Sequence, residues 1–297
     1  MKTGLGMALA LFLCLSSCNN ARQSEPQQRH SSDGKLENVA GASQKEGKIF
    51  KIEGMETPES FQFDPTTEKY FISNIVGSPT EKDGRGYLTR LDKDGKLDIK
   101  EFIIGLNAPK GMTFLDRILY VTDIDRIMGY DPKTGKHLFE LDLSTKGAKF
   151  LNDIIGENGV LWISDMMADV VYRVTLAQKE VGIFASLKSP NGLAFCGNDI
   201  LVASWGRGEG IHRLDKEGKT VERIEGEFDS LDGIACDPEG NWYVSNFKEG
   251  SIYRIDASRR ISKFLEHLVT PADISLTPDG SILLVPSFDG KIGRAHV

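Results

Sequence analysis

Apolar residues in this chain come in short runs rich in Ile, Val, Tyr and Phe, separated by turn sequences such as Asp237-Pro238-Glu239-Gly240 and Lys248-Glu249-Gly250. Runs of that length and composition predict β-strands. From 232 to 266 four of them follow one another as DGIACD, NWYVSNF, SIYRID and RISKFLE. From 152 to 186 the same order recurs as NDIIG, LWISDM, VVYRVT and EVGIFAS. The pattern is therefore periodic. Segments ESFQFDP, KGMTF, NDIIGE, NGLAF, DGIACD and ADISLTPD align, beginning at Glu59, Lys110, Asn152, Asn191, Asp232 and Ala272, at intervals of 51, 42, 39, 41 and 40 residues.

A repeat of about 40 residues, each unit holding several short strands, predicts a β-propeller rather than a sandwich. The expected fold is all-β: six blades, each a four-stranded antiparallel sheet. GKIFKIEG, at 47–54, precedes the first repeat, and the sixth shows only two clear strands. The N-terminal strand is accordingly expected to supply the outer strand of blade six and close the ring. The final KIGRAHV resembles a translated sequencing adapter, so residues from about 291 to 297 read as a non-native tail.

In a propeller the first strand of each blade lines the central channel. Glu59, Asn152, Asn191 and Asp232 then fall at equivalent places near one end of it. Two carboxylates and two amide carbonyls on one axis suit a hard divalent cation, calcium before others. The absence of His and Cys from the set argues against zinc. Lys110 holds the same position in blade two, either to steady developing negative charge, to pair with Glu59, or to fill the channel. Second-strand ends bring Asn74, Asp123, Asp165, Trp205 and Asn246 to the same end as pocket candidates, with turn capping as their other role. The long connections 77–86 and 205–210 emerge there too.

Composition narrows the function. The 36 basic and 43 acidic residues give a net charge of −7, and the basic ones form no cluster, which excludes a nucleic-acid surface. The chain has no Gly-x-Ser-x-Gly elbow, no phosphate-binding glycine loop and no His-Glu-x-x-His. Its five histidines are scattered, with His212 read as a blade-surface residue. Cys196 and Cys236 are offset by one position in the repeat register, which would turn them to opposite faces of their strands. They read as free buried thiols.

With Glu59 in the first blade, FLND at 150–153, PNGLAF at 190–195 and LDGIACD at 231–237, the chain resembles the SMP-30/gluconolactonase/luciferin-regenerating-enzyme superfamily of six-bladed calcium propellers, over essentially 47–290. The resemblance implies that Glu59, Asn152, Asn191 and Asp232 are metal ligands and that Asp232 is also the general base or nucleophile. It implies calcium-dependent hydrolysis of a small-molecule lactone or related ester, with Lys110 as a further catalytic candidate. Ser60 and Phe61 follow Glu59 where family lactonases usually show Glu-Gly-Pro, and Phe150 replaces a substrate-contacting Arg. Those departures bear on sugar-lactone specificity rather than on the metal set. A phosphoester hydrolase on the same ring and a non-catalytic, metal-braced binding propeller are the rival readings.

The first 46 residues lie outside the repeat. Lys2 and the apolar stretch 4–15 read as a signal peptide, and Leu15-Ser16-Ser17-Cys18 as a lipobox with Cys18 the acylated residue. The expected division is a signal peptide at 1–17, an acylated Cys with a flexible tether at 18–46, and the propeller at 47–297. Such a protein would be exported as a monomer and meet a bacterial membrane through its lipid anchor alone, on the periplasmic or cell-surface side.

Overall fold

The computed structural model describes residues 52–297, Glu227 excepted, so the signal peptide, Cys18 and the tether lie outside the described residues. Six four-stranded antiparallel sheets follow one another along the chain. Blade one comprises β2 (Pro58–Asp64), β3 (Lys69–Asn74), β4 (Gly86–Leu91) and β5 (Leu97–Leu106). Blade two holds β6 (Pro109–Leu115) to β9 (His137–Asp142), and blade three β10 (Leu151–Glu157) to β13 (Glu180–Ser186). Blade four runs from β14 (Pro190–Cys196) through β15 (Asp199–Ser204) and β16 (Ile211–Leu214) to β17 (Thr220–Ile224). Blade five has β18 (Leu231–Cys236), β19 (Trp242–Asn246), β20 (Ser251–Ile255) and β21 (Ile261–Leu265).

Blade six is composite. Its strands β22 (Ser275–Leu276), β23 (Ile282–Ser287) and β24 (Lys291–His296) are joined on the outside by β1 (Ile52–Glu53), where Ile52 pairs with Ile292. The terminal segment read as a tail thus occupies the third-strand place of this blade, in register with β23 from Ile282↔His296 to Ser287↔Lys291. Ile292 and Ala295, three apart and so on opposite faces of the strand, are both buried there, as in a strand with neighbours on each face.

The core is divided among the blade interfaces. Tyr120, Ile127, Leu151 and Ile163 pack blade two on blade three, and Phe71, Leu88, Met112 and Val121 pack one on two. The ring is closed between its last and first blades by Phe61, Tyr70, Leu284 and Ile292, by a parallel bridge Ser60↔Asp273, and by Asp273 N–H donating to Glu59 O at 3.0 Å. Propeller blades therefore stack front to back.

That stacking corrects the reading of the cysteines. Cys196 and Cys236 form a disulfide, with Cα atoms 5.5 Å apart. Their one-position offset does turn them to opposite faces of equivalent strands. Because the front of blade four meets the back of blade five, opposite faces are the ones that look at each other, and both sulfurs join the apolar cluster of that interface.

Candidate metal and catalytic site

The inner strands share a local irregularity. Pairing with the second strand shifts between Pro58 and Phe61, Pro109 and Met112, Leu151 and Ile154, Pro190 and Leu193, and Leu231 and Ile234. A β-bulge at each place re-aims one side chain out of the ladder. The first residues of the five two-residue bulges are Glu59, Lys110, Asn152, Asn191 and Asp232. In blade six Ala272 takes the same place, after a bridge from Pro271 to Ser287.

A bulge frees a backbone N–H, and a hydroxyl one residue before the end of the second strand takes it. Ser73 Oγ accepts from Ser60 N–H at 2.9 Å, Ser164 Oγ from Asp153 N–H at 2.9 Å, and Ser245 Oγ from Gly233 N–H at 2.8 Å. Two such hydroxyls also reach the next blade: Thr122 donates to Asn152 O at 2.5 Å and Ser245 to Ala272 O at 2.8 Å. Sequence reasoning passed over these residues, although FISN, YVTD, WISD and YVSN repeat the signal. Adjacent inner strands approach so closely that a Cβ on Gly233 would lie 2.2 Å from Ile274 N.

The ring side chains are buried: Glu59 is 2% exposed, Asn152 6%, Asn191 1% and Asp232 5%. Among the described residues no hydrogen bond or ion pair holds the side chains of Glu59, Asn152 or Asp232, and Glu59 Oε2 is buried without a partner. Asn191 spends its Nδ2 on Leu231 O at 3.4 Å, which leaves its carbonyl oxygen for the channel. Leaving such groups unpaired in a protein interior is costly, so a ligand for them is called for.

A second tier lies one residue further in, and the sequence reading missed it. Asp153 and Asp273 are both buried there. Asp153 accepts from Ile154 N–H at 2.7 Å and Leu193 N–H at 2.6 Å, and Asp273 accepts from Ser60 Oγ–H at 2.6 Å. With Glu59 and Asp232 they make four buried carboxylates near enough for their charges to act on one another. Burial, then the neighbouring charge of Asp273, holds Glu59, Asp153 and Asp232 well above the usual carboxylate range. Burial pushes Asp273 itself up to about 7 against the opposing bond from Ser60.

Lys110 is also buried, and burial pushes it down to about 8, with Glu59 acting the other way. It makes no ion pair with Glu59. Instead its Nζ donates to Ala108 O at 3.0 Å and Pro79 O at 3.1 Å, and sits 4.3 Å from the ring centre of Phe150.

The pocket candidates sort differently from expectation. Asp123 accepts from Asn107 and Ala108 N–H and from the Arg126 guanidinium at 2.8 Å, and Asp165 accepts from Lys149, Phe150, Met167 and Ala168 N–H. Asn246 caps Glu249 N–H, and Asn74 donates to Ile72 O and Thr89 Oγ1. These four side chains are turned back into the scaffold. Trp205 is not at the equivalent place, because Ser204 is the residue paired with Pro190. One residue further on, Trp205 is half-buried against Phe247. His212 lies on β16, buried rather than on the blade surface.

The donor set fits a hard divalent cation: all oxygen, buried, and unsatisfied by the protein. Among the described residues no three His, Cys, Asp or Glu side chains cluster closely enough to hold a metal by themselves. Half of the expected donors are the amides of Asn152 and Asn191.

No protein-family model and no curated protein matches the sequence. Among solved structures the chain is similar to a gluconolactonase from Xanthomonas campestris, with a TM-score of 0.68 and 16% identity over 84% of this chain and 91% of that one. It is similar to the calcium-binding protein regucalcin from Agrobacterium tumefaciens, with a TM-score of 0.59 and 20% identity over 81% and 90%. A virginiamycin B lyase from Staphylococcus aureus follows the same fold at a TM-score of 0.56 and 16% identity, over 85% of this chain and all 100% of that one. At these identities the likeness is one of fold: a six-bladed propeller whose neighbours include lactonase and calcium-binding members and a lyase.

Proposed function

We propose that this protein is a calcium-dependent hydrolase of lactones or related esters, acting at the mouth of the propeller channel. The observation that carries the reading is the set of buried side chains at Glu59, Asn152, Asn191 and Asp232 whose oxygens accept no hydrogen bond among the described residues, with Glu59 Oε2 itself buried and unpartnered. Lactonase and calcium-binding neighbours of the same fold support it. Those four residues would hold the cation, which when bound supplies Lewis acidity to a carbonyl and stabilises negative charge on its oxygen. Asp232 accepts the proton of the attacking water, or attacks directly. It is suited to this because no hydrogen bond occupies its carboxylate and it stands beside three other carboxylates. Lys110, anchored by two carbonyls, adds positive charge at the same tier, which favours an anionic product head.

The rival without turnover, a metal-braced binding propeller, shares the fold and the cation, since fold does not choose function. Export and anchoring through Cys18, and a monomeric state, belong to this proposal on the sequence alone.

The test is hydrolysis of a panel of alkyl- and aldono-lactones by the propeller, in calcium and in chelator, beside Asp232→Ala. Turnover should fall by at least about 10²-fold in the variant, the scale on which general-base removal acts. A variant as fast as the parent would overturn the mechanism. A calcium-stabilised protein with no turnover on any ester would favour the binding propeller.

A further inference from the structure

One rung above the ring, the residue after each second strand is apolar: Ile75, Ile124, Met166, Trp205, Phe247 and Phe288. In five blades its N–H bonds the backbone two residues before the ring position, as in Trp205 to Ser189 O at 2.9 Å and Phe247 to Ser230 O at 2.9 Å. The collar therefore sits on the same mouth as the ring. Trp205 and Phe247 approach with ring centres 5.3 Å apart, Phe247 and Phe288 at 5.0 Å. Phe288 continues onto the cluster of Ile75, Ala108 and Ile124. Backbone bonds to the segments that lead into the inner strands set the arc beside the strands that carry the ring. Ile75 and Ile124 are buried, whereas the three aromatic rings are only half-buried.

Outside the oxygen ring, most charged and amide groups at the mouth are, by contrast, already engaged, although Asn74 Oδ1 has no partner among the described residues. Asp123, Asp165 and Asn246 cap backbone, Asn74 bonds within its blade, and Lys110 is held by two carbonyls. A polyhydroxylated sugar entering here would set hydroxyls against aromatic carbon, and each one buried without a partner would cost binding. An alkyl chain or aryl ring would gain on the same surface.

We infer that Trp205, Phe247 and Phe288 form the subsite for the apolar alkyl or aryl portion of a carbonyl substrate whose polar head enters the oxygen ring. The inference rests on reading that ring as a carbonyl site. It specifies hydrophobic lactones or esters in place of aldonolactones.

The experiment uses 2-alkylcyclopentanones of increasing chain length, carbonyl compounds that cannot be hydrolysed. Binding is read from tryptophan fluorescence, with Trp205→Phe identifying the signal of that ring. Affinity should rise about threefold to fourfold per methylene, from ~0.8 kcal/mol per buried CH2. Phe247→Ser should flatten the dependence and Phe247→Leu should retain it, with thermal midpoints confirming that both variants fold. Affinity independent of chain length, or an unchanged slope in Phe247→Ser, would overturn the subsite. Chain-dependent binding without Asp232-dependent turnover of any lactone would uphold the subsite and sink the hydrolase reading alone.

Discussion

Glu59, Asp153, Asp232 and Asp273 pose a choice between protons and a cation. All four are held above their ordinary range, chiefly by burial, and Asp273 titrates near 7 against 3.8 for a solvated Asp. An acid whose folded value is raised contributes stability that is complete below its unfolded value and is lost as pH climbs through the folded one. In chelator, stability should therefore fall as pH rises from about 4 to about 7, by on the order of a few kcal/mol, and the thermal midpoint should fall with it. Asp273→Asn removes one titrating group and should shrink that fall. Calcium competes with the same protons, so its stabilisation should be larger at pH 7.5 than at pH 5. Equal stabilisation at both values would show that the cation binds elsewhere.

At the scale of strands and blades, the bulge is the device that makes a site from a repeat. It turns one side chain per blade inward, and the hydroxyls of Ser73, Ser164 and Ser245 absorb its backbone cost. Much of this was legible in the sequence. A forty-residue period gave the blades, and Glu59, Asn152, Asn191 and Asp232 stood out because four of six equivalent positions carry oxygen. What the sequence hid depends on relations between blades. Asp153 and Asp273 look like strand residues until the ring brings them beside Glu59. Asp123 and Asp165 look like pocket residues until their backbone partners appear. The cysteine offset became intelligible only once blades were seen to stack front to back. That disulfide spans 40 residues, and its loss in Cys196→Ser/Cys236→Ser should cost about 2–4 kcal/mol. The check is chemical denaturation of the oxidised protein and the double variant, where coincident midpoints would show that the bridge contributes nothing.

Taken whole, the propeller gathers the candidate site at one end of its inner strands, the end from which the longer connections of blades one and four emerge. Stability is spread over separate interblade clusters rather than one core, so side chains at the mouth can vary with little effect on the rest. Fold and site are thus nearly independent, which accounts for a lactonase and a lyase among its structural neighbours.

The bond from Ser60 to Asp273 crosses 213 positions of chain. It therefore sets an order in time. Glu59 belongs to the earliest blade to be synthesised, and the neighbour that completes its surroundings belongs to the last. Pairings of such long range form late, because the loop entropy must be met first. Strand signals should consequently recover in refolding well before the protein can capture calcium, with the indicator trace lagging behind circular dichroism. Simultaneous traces would mean that a partial ring already binds. Until the sixth blade docks, the chain would hold most of its strands and only part of its ring.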